Sequence, residues 1–468
     1  MTRLRLLAGI ILAVASASCA ADAWAADVTP VKAPTTAASA AKPPCTDSQS
    51  FVTTDCQLTW QGITIYGIID MGVGWQSHGA PFDPQSAVAA SYLVQKQNRS
   101  SIWGLAPNAL SNSTIGIKGT RSITDDFSAV FALDAGFDPY SVRFSDGPGS
   151  VAANAGIPQN QQTAFSDSSR AGQWYNGQGY VGVSSPTYGT LTVFRQNSLT
   201  LDAVFDYDPF GASYGFSPIG FQGITCGGGN TENCRNSTSL KYRINIGQFR
   251  AAALWQFGGY AQNNASNGAY QLQVGADIKT GGKGVLAVDA IYSFVRDSVS
   301  LGLGAGNNDA NGMPIPPFLP QTLTATISNN QAAMFVAKYT DGPLKLFAGY
   351  EHIRYGAPSD PQTAFNSISG DFLCQNCQAF NNTTINNTAF GVNGLGNRIM
   401  QIMWIGTKYA VRDDLDVIAG YYHYIQNSFF GTPAGGPAAP GLSMRSLLPS
   451  IGDLHQSGMP ILESCSRK

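Results

Sequence analysis

The chain has 468 residues, of which 12% are charged and 43% hydrophobic, with a formal net charge of −2. Soluble domains carry about 25% charged residues, so the composition argues against an ordinary solvated surface, and a slightly acidic chain excludes charge-driven binding of nucleic acid. With 52 glycines, 19 Tyr and 24 Phe, it implies many turns and many aromatic anchors.

Residues 1–25 read as an export signal: Arg3 and Arg5, then the apolar run "LLAGIILAVASA", then small residues ending at Ala25, after which cleavage is expected. Cys19 would suggest lipidation, but Ser16 stands where such a signal has an aliphatic residue. No run of about 18 apolar residues follows, so membrane-spanning helices are not expected. Residues 26–57, with "KAPTTAASAAKPP", read as a flexible leader.

Six of the eight cysteines fall in close pairs, Cys45 with Cys56, Cys226 with Cys234 and Cys374 with Cys377. In an exported chain such pairs read as local disulfides. The alternative, a metal or redox role for the "CQNC" at 374–377, lacks both a matching second pair and a following helix. No cofactor is expected.

From residue 58 the pattern changes. In "ITIYGIIDMGVGWQ", 63–76, Ile63, Ile65, Ile69, Met71, Val73 and Trp75 occupy one face, and Thr64, Tyr66, Asp70 and Gln76 the other. Period two over fourteen residues specifies a strand with one apolar and one polar face, longer than the roughly 9 to 11 residues that cross a bilayer. Further strands are predicted at 112–120, 127–138, 177–184, 190–197, 236–244, 249–260, 269–279, 284–296, 330–340, 343–355, 398–411 and 414–427.

The connections alternate in length. Short turns such as "SSPTYG", "GGK" and "TDGP" are separated by long connections at 77–111, 139–176, 198–235, 297–329 and 356–397, with 261–268 the shortest of that set. Short turns at one rim and long loops at the other are the habit of an outer-membrane barrel, in which the apolar face meets lipid and the other face water.

Several stretches resemble the Gram-negative general porins of proteobacteria: "ITIYGIIDMGVGW", "IGIKGTRSITDDFSAVFALDAGF", "GYVGVSSPTYGTLTVFRQ", "SLKYRINIGQFRAAALWQFGG", "LKLFAGYEHIR" and "YYHYIQNSFFGT". The resemblance implies an all-β, sixteen-stranded antiparallel transmembrane barrel in the outer membrane of a Gram-negative bacterium. About thirteen of those strands are recognisable here. It also implies a homotrimer surrounded by lipid and lipopolysaccharide, passing small hydrophilic solutes and ions through a pore that the third long loop narrows. Counted along this chain that loop is 198–235, and its acidic residues are Asp202, Asp206 and Asp208. In such porins acidic loop residues face basic wall residues and select solutes by charge and size.

For the basic wall, Lys118 matches the family's "GxKG" pattern and Arg195 its "GRQ" pattern, with Phe194 in place of the glycine. Strict alternation would put Arg195 on the lipid face, so either a bulge turns it or it sits at the rim; the bulge is preferred. By the same parity Asp70, Asp277, Asp289 and Glu351 face the lumen and are expected to line water. A substrate-specific channel remains the rival reading.

The family's barrels finish with a strand ending in an aromatic residue. Here 58–430 reads as an incomplete barrel, and 431–468 has no sustained alternation and ends in Lys468. The expectation for this tail is a frameshifted or truncated relative with closing strands missing, and a non-functional truncated porin stands beside the substrate-specific channel as a rival reading. An enzyme is not expected: of four histidines, His352 and His423 sit in aromatic-rich strands, and no serine motif accompanies them.

Overall fold

A computed structural model describes residues 11–13, 45, 56–77, 100–140, 142, 177–219, 235–259, 266–301, 323–356, 359, 398–412, 415–426, 456–457 and 461–466. Its strands are β1 (Ile11–Ala13), β2 (Leu58–Trp60), β3 (Ile63–Ile68), β4 (Val73–Gln76), β5 (Ile102–Leu105), β6 (Thr114–Ser122), β7 (Ser128–Gly136), β8 (Gly179–Ser185) and β9 (Gly189–Asn197). The helix α1 (Leu199–Tyr207) follows. Then come β10 (Arg235–Ile246), β11 (Phe249–Gln256), β12 (Gly268–Lys279), β13 (Val285–Leu301), β14 (Leu323–Asp341), β15 (Leu344–Gly356), β16 (Arg398–Arg412), β17 (Leu415–Gln426), β18 (Gln456–Ser457) and β19 (Ile461–Ser466).

Each main strand pairs antiparallel with the next, in the order β2, β3, β6, β7, β8, β9 and then β10 to β17. Antiparallel neighbours joined by tight turns suit a sheet with one dry and one wet face. The outward side carries Ile63, Ile65, Ile115, Val181, Leu191, Trp255, Leu272, Val274, Phe335, Ile405 and Tyr421, all exposed. In a water-soluble protein so much apolar surface would be an aggregation hazard; against lipid it is the stable arrangement.

The first predicted strand is not continuous. β3 ends at Ile68, and β4 leaves the sheet to pair with β5, which lies inside the stretch read as a long connection. The break is made by Asp70, whose carboxylate accepts hydrogen bonds from the N–H groups of Ala109, Leu110 and Ser111. A side chain that binds three backbone donors pulls a turn against the strand and ends the ladder there.

Two short strands lie in the tail. β19 runs antiparallel to β17 over Leu415–Gly420, and β1, within the segment read as the export signal, lies parallel to β19. Among the described residues no ladder joins β2 to β17. Cys45 and Cys56 form a disulfide just before β2, with Cα atoms 4.9 Å apart. Cys226, Cys234, Cys374 and Cys377 lie outside the described residues.

Candidate functional site

The inner face is occupied by the segment 198–219. Its helix begins where Ser198 caps it, the hydroxyl oxygen accepting from Leu201 N–H at 3.0 Å. It ends before Pro209, which cannot continue a helix. The sequence reading saw only a loop here; a Ser cap, Asp202 in the first turn and a proline past the last residue were the signal for the helix.

Leu199, Leu201, Val204, Phe210, Phe216 and Ile219 are buried against inward side chains of the wall, among them Leu254, Ile291, Met334, Ile353, Ile402 and Trp404. An apolar patch on the inner wall thus packs a dry core within the barrel, and burying each such side chain contributes about 1.5–3 kcal/mol. The segment is held as a core element and not as a loose loop.

Charges fix its start. Asp202 is gripped by Lys241, whose Nζ lies 2.8 Å away, and by Arg243, both on β10. Burial acts to raise the Asp202 carboxyl, but the two cations outweigh it and hold it below the ordinary aspartate value. Lys241 also donates to the Asn197 carbonyl at 3.2 Å, and is only 2% exposed.

The end of the helix carries a second cluster. Arg250 on β11 donates to both oxygens of Asp289 at 2.8 Å, to Asp277 at 2.6 Å and to the Tyr207 hydroxyl at 2.6 Å. Tyr207 donates in turn to Asp289, and Lys338 lies over its ring, 5.4 Å from the centroid. Burial and the Asp289 carboxylate raise the Tyr207 hydroxyl, which stays protonated and serves as a donor.

Beyond the helix the tip crosses to the last strands. Trp404 Nε1 donates to the Tyr207 carbonyl at 3.0 Å, the Tyr422 hydroxyl to Asp208, and the Tyr424 hydroxyl to the Pro218 carbonyl at 2.9 Å. Gly406 and Gly420, paired across β16 and β17, leave room for the tip: a Cβ at Gly406 would lie 2.5 Å from Pro209 Cγ, and one at Gly420 2.7 Å from Phe210 Cε2. The return arm then meets the turn after β5, where Asn112 bonds the Ala212 carbonyl and the Tyr214 N–H at 3.2 and 3.1 Å. One segment therefore touches β10, β11, β13, β16, β17 and the turn before β6, so the sheet must curl around it.

The expected site residues divide. Asp202 and Asp208 are both engaged, Asp208 being 2% exposed, raised by burial and bonded by Tyr422 and by Ala212 N–H. Asp206 lies on the exposed side of the helix. Lys118 sits partly buried over the Tyr66 ring, 5.3 Å from its centroid. Arg195 donates to the Gly177 carbonyl at 2.8 Å and to Ser237 Oγ at 3.0 Å. The ladder is irregular beside it, between Asn236 and Ser239, and Phe194 has φ of 88° and is exposed.

Of the four carboxylates expected to line water, Asp277 is open, whereas Asp70, Asp289 and Glu351 are 3%, 5% and 0% exposed. The three are enclosed by protein groups. Asp70 is filled by backbone donors, Asp289 by Arg250 and Tyr207, and Glu351 stands in register between Met334 and Ile402. The reading missed Lys241, Arg243 and Arg250. Alternation in "SLKYR" already put Lys241 and Arg243 on one face; nothing local announced that Asp202 would meet them.

The family profile described as Gram-negative porin matches residues 8–439. An outer membrane porin protein of Bordetella pertussis is 27% identical over 158 residues, which is 34% of this chain and 34% of that protein. The aligned part thus spans about a third of that relative's length. Among solved structures, an anion-selective porin from Comamonas acidovorans is 16% identical, covering 78% of this chain and 79% of that one, with a TM-score of 0.46. OmpT, an outer membrane protein of Vibrio cholerae, is 14% identical over 79% and 78% of the two chains, with a TM-score of 0.43.

Proposed function

Because this chain belongs to the Gram-negative porin family, we propose that it is a general diffusion channel of the outer membrane, passing small hydrophilic solutes and ions. The pore narrows where residues 198–219 cross the inside of the barrel. One observation carries this reading: the segment is pinned at Asp202 to β10 and at Tyr207 and Asp208 to β16 and β17, so it spans the interior. Water and solute then pass beside it, under the field of Asp206 and of the cation clusters around Lys241, Arg243 and Arg250. Among the described residues the charges are dispersed along the segment and the wall that faces it, which supports sorting by size and charge more than recognition of one solute.

We read the working unit as a homotrimer in lipid and lipopolysaccharide. Single-channel recording in planar bilayers, with protein extracted from outer membranes without refolding, tests the reading. Stable steps in groups of three that scale with bulk salt conductivity are expected. Saturation of the current by one solute would favour a substrate-specific channel, and an absence of steps would favour a non-functional chain.

A further inference from the structure

We propose that Asp70, buried away from the water path, is a positioning residue that sets the width of the pore. The proposal rests on the reading of residues 198–219 as the constriction, and goes beyond it by naming what holds the return arm of that segment in place.

The Asp70 carboxylate accepts four hydrogen bonds: from Ala109 N–H at 3.2 Å, Leu110 N–H at 2.9 Å, Ser111 N–H at 2.6 Å and Ser111 Oγ–H at 2.9 Å. Its own backbone N–H donates to Ser113 Oγ at 2.9 Å, and its carbonyl accepts from Asn108 N–H at 3.2 Å. Such bonds to a carboxylate are roughly twice as strong as neutral ones, and here they wind residues 108–113 around one charge. Asn108, with φ of 54°, is held in the left-handed region at the start of that turn, and its side chain accepts from Ser113 N–H at 2.8 Å.

The other side of the turn faces the return arm. The Asn108 carbonyl accepts from Gly215 N–H at 2.9 Å, and Asn112 bonds both the Ala212 carbonyl and the Tyr214 N–H. The approach is close: a Cβ at Gly215 would lie 2.8 Å from Ala109 Cα. The tip is fixed independently, at Trp404 and Tyr422. Removing the Asp70 charge frees the turn and, with it, the arm at Tyr214 and Gly215, while the helix, the tip and Ala212, which donates to Asp208, remain anchored. The gap beside the segment then widens, without any change in the charges that face the solute.

The experiment compares the parent with Asp70→Asn, Asn112→Ala and a deletion of 209–217, each reconstituted in liposomes. Swelling in neutral saccharides of graded size gives the exclusion limit, and reversal potential in a KCl gradient gives ion preference. Asp70→Asn and Asn112→Ala are expected to shift the limit to larger saccharides and leave the reversal potential where it was. A residue that serves only local stability would lower heat resistance and leave the size profile unchanged, and that result overturns the proposal. If Asp70→Asn does not accumulate in the outer membrane, Asn112→Ala and Gly215→Ala decide, and an unchanged profile in both overturns it. If even the deletion leaves the limit unchanged, the constriction reading itself fails; if the deletion widens the pore and the point variants do not, only the role of Asp70 fails.

Discussion

The indole N–H of Trp404 donates to the carbonyl oxygen of Tyr207 at 3.0 Å, across 197 residues of sequence. That bond takes up a carbonyl left open at the end of α1, and it joins the inserted segment to a strand far along the sheet from the one that precedes it. Gly349 makes it feasible, since the Trp404 ring lies where a side chain on β15 would stand.

Gly349→Ala places a Cβ 2.0 Å from Trp404 Cζ2. A rigid ring has no small motion that relieves this, so overpacking of about 1–3 kcal/mol is expected. The check is the temperature at which the folded band converts to the unfolded one in gel electrophoresis, which falls.

Arg250 neutralises the buried Asp289. Arg250→Met leaves that carboxylate unpaired and costs about 3–5 kcal/mol, toward the lower figure because the guanidinium is partly exposed. Adding Asp289→Asn recovers much of the loss. Equal heat resistance of the single and double variants would contradict the pairing.

Asp202 is held below the ordinary aspartate value by Lys241 and Arg243. A carboxyl lowered in the folded state contributes stability that is fully present above its unfolded pKa of about 3.9 and is lost as pH falls through the lower folded value. Heat resistance is therefore expected to hold from neutral pH to about pH 5 and to drop below about pH 4. In Asp202→Asn the acid-side drop is smaller.

Asp206 is exposed, whereas Asp208 is sealed by Tyr422 and Ala212. Asp206→Asn shifts the reversal potential in a salt gradient toward anions. Asp208→Asn leaves ion preference nearly unaltered and instead lowers heat resistance, because its partners lose a charged acceptor.

Alternation alone located the β-strands from 112 to 427 to within about four residues at each end, except that β13 runs on to Leu301 and β14 starts at Leu323, well beyond the predicted ends at 296 and 330. It failed at 63–76 because the pattern is blind to a competitor. Asp70 fits the polar face of a strand as well as it fits a turn, and only the donors of Ala109, Leu110 and Ser111, some forty residues away, decide between them. Arg195 was ambiguous for a related reason, since the positive φ of Phe194 and the irregular ladder opposite it are local departures that alternation does not encode.

The sequence by itself determined a sheet with one lipid-facing side, because period two is a local property that each strand expresses wherever it lies. Which charges meet was decided only by the tertiary structure. Asp202 finds Lys241 and Arg243, and Asp208 finds Tyr422, across separations that no local pattern encodes, because the curvature of the sheet and the path of 198–219 inside it set those distances.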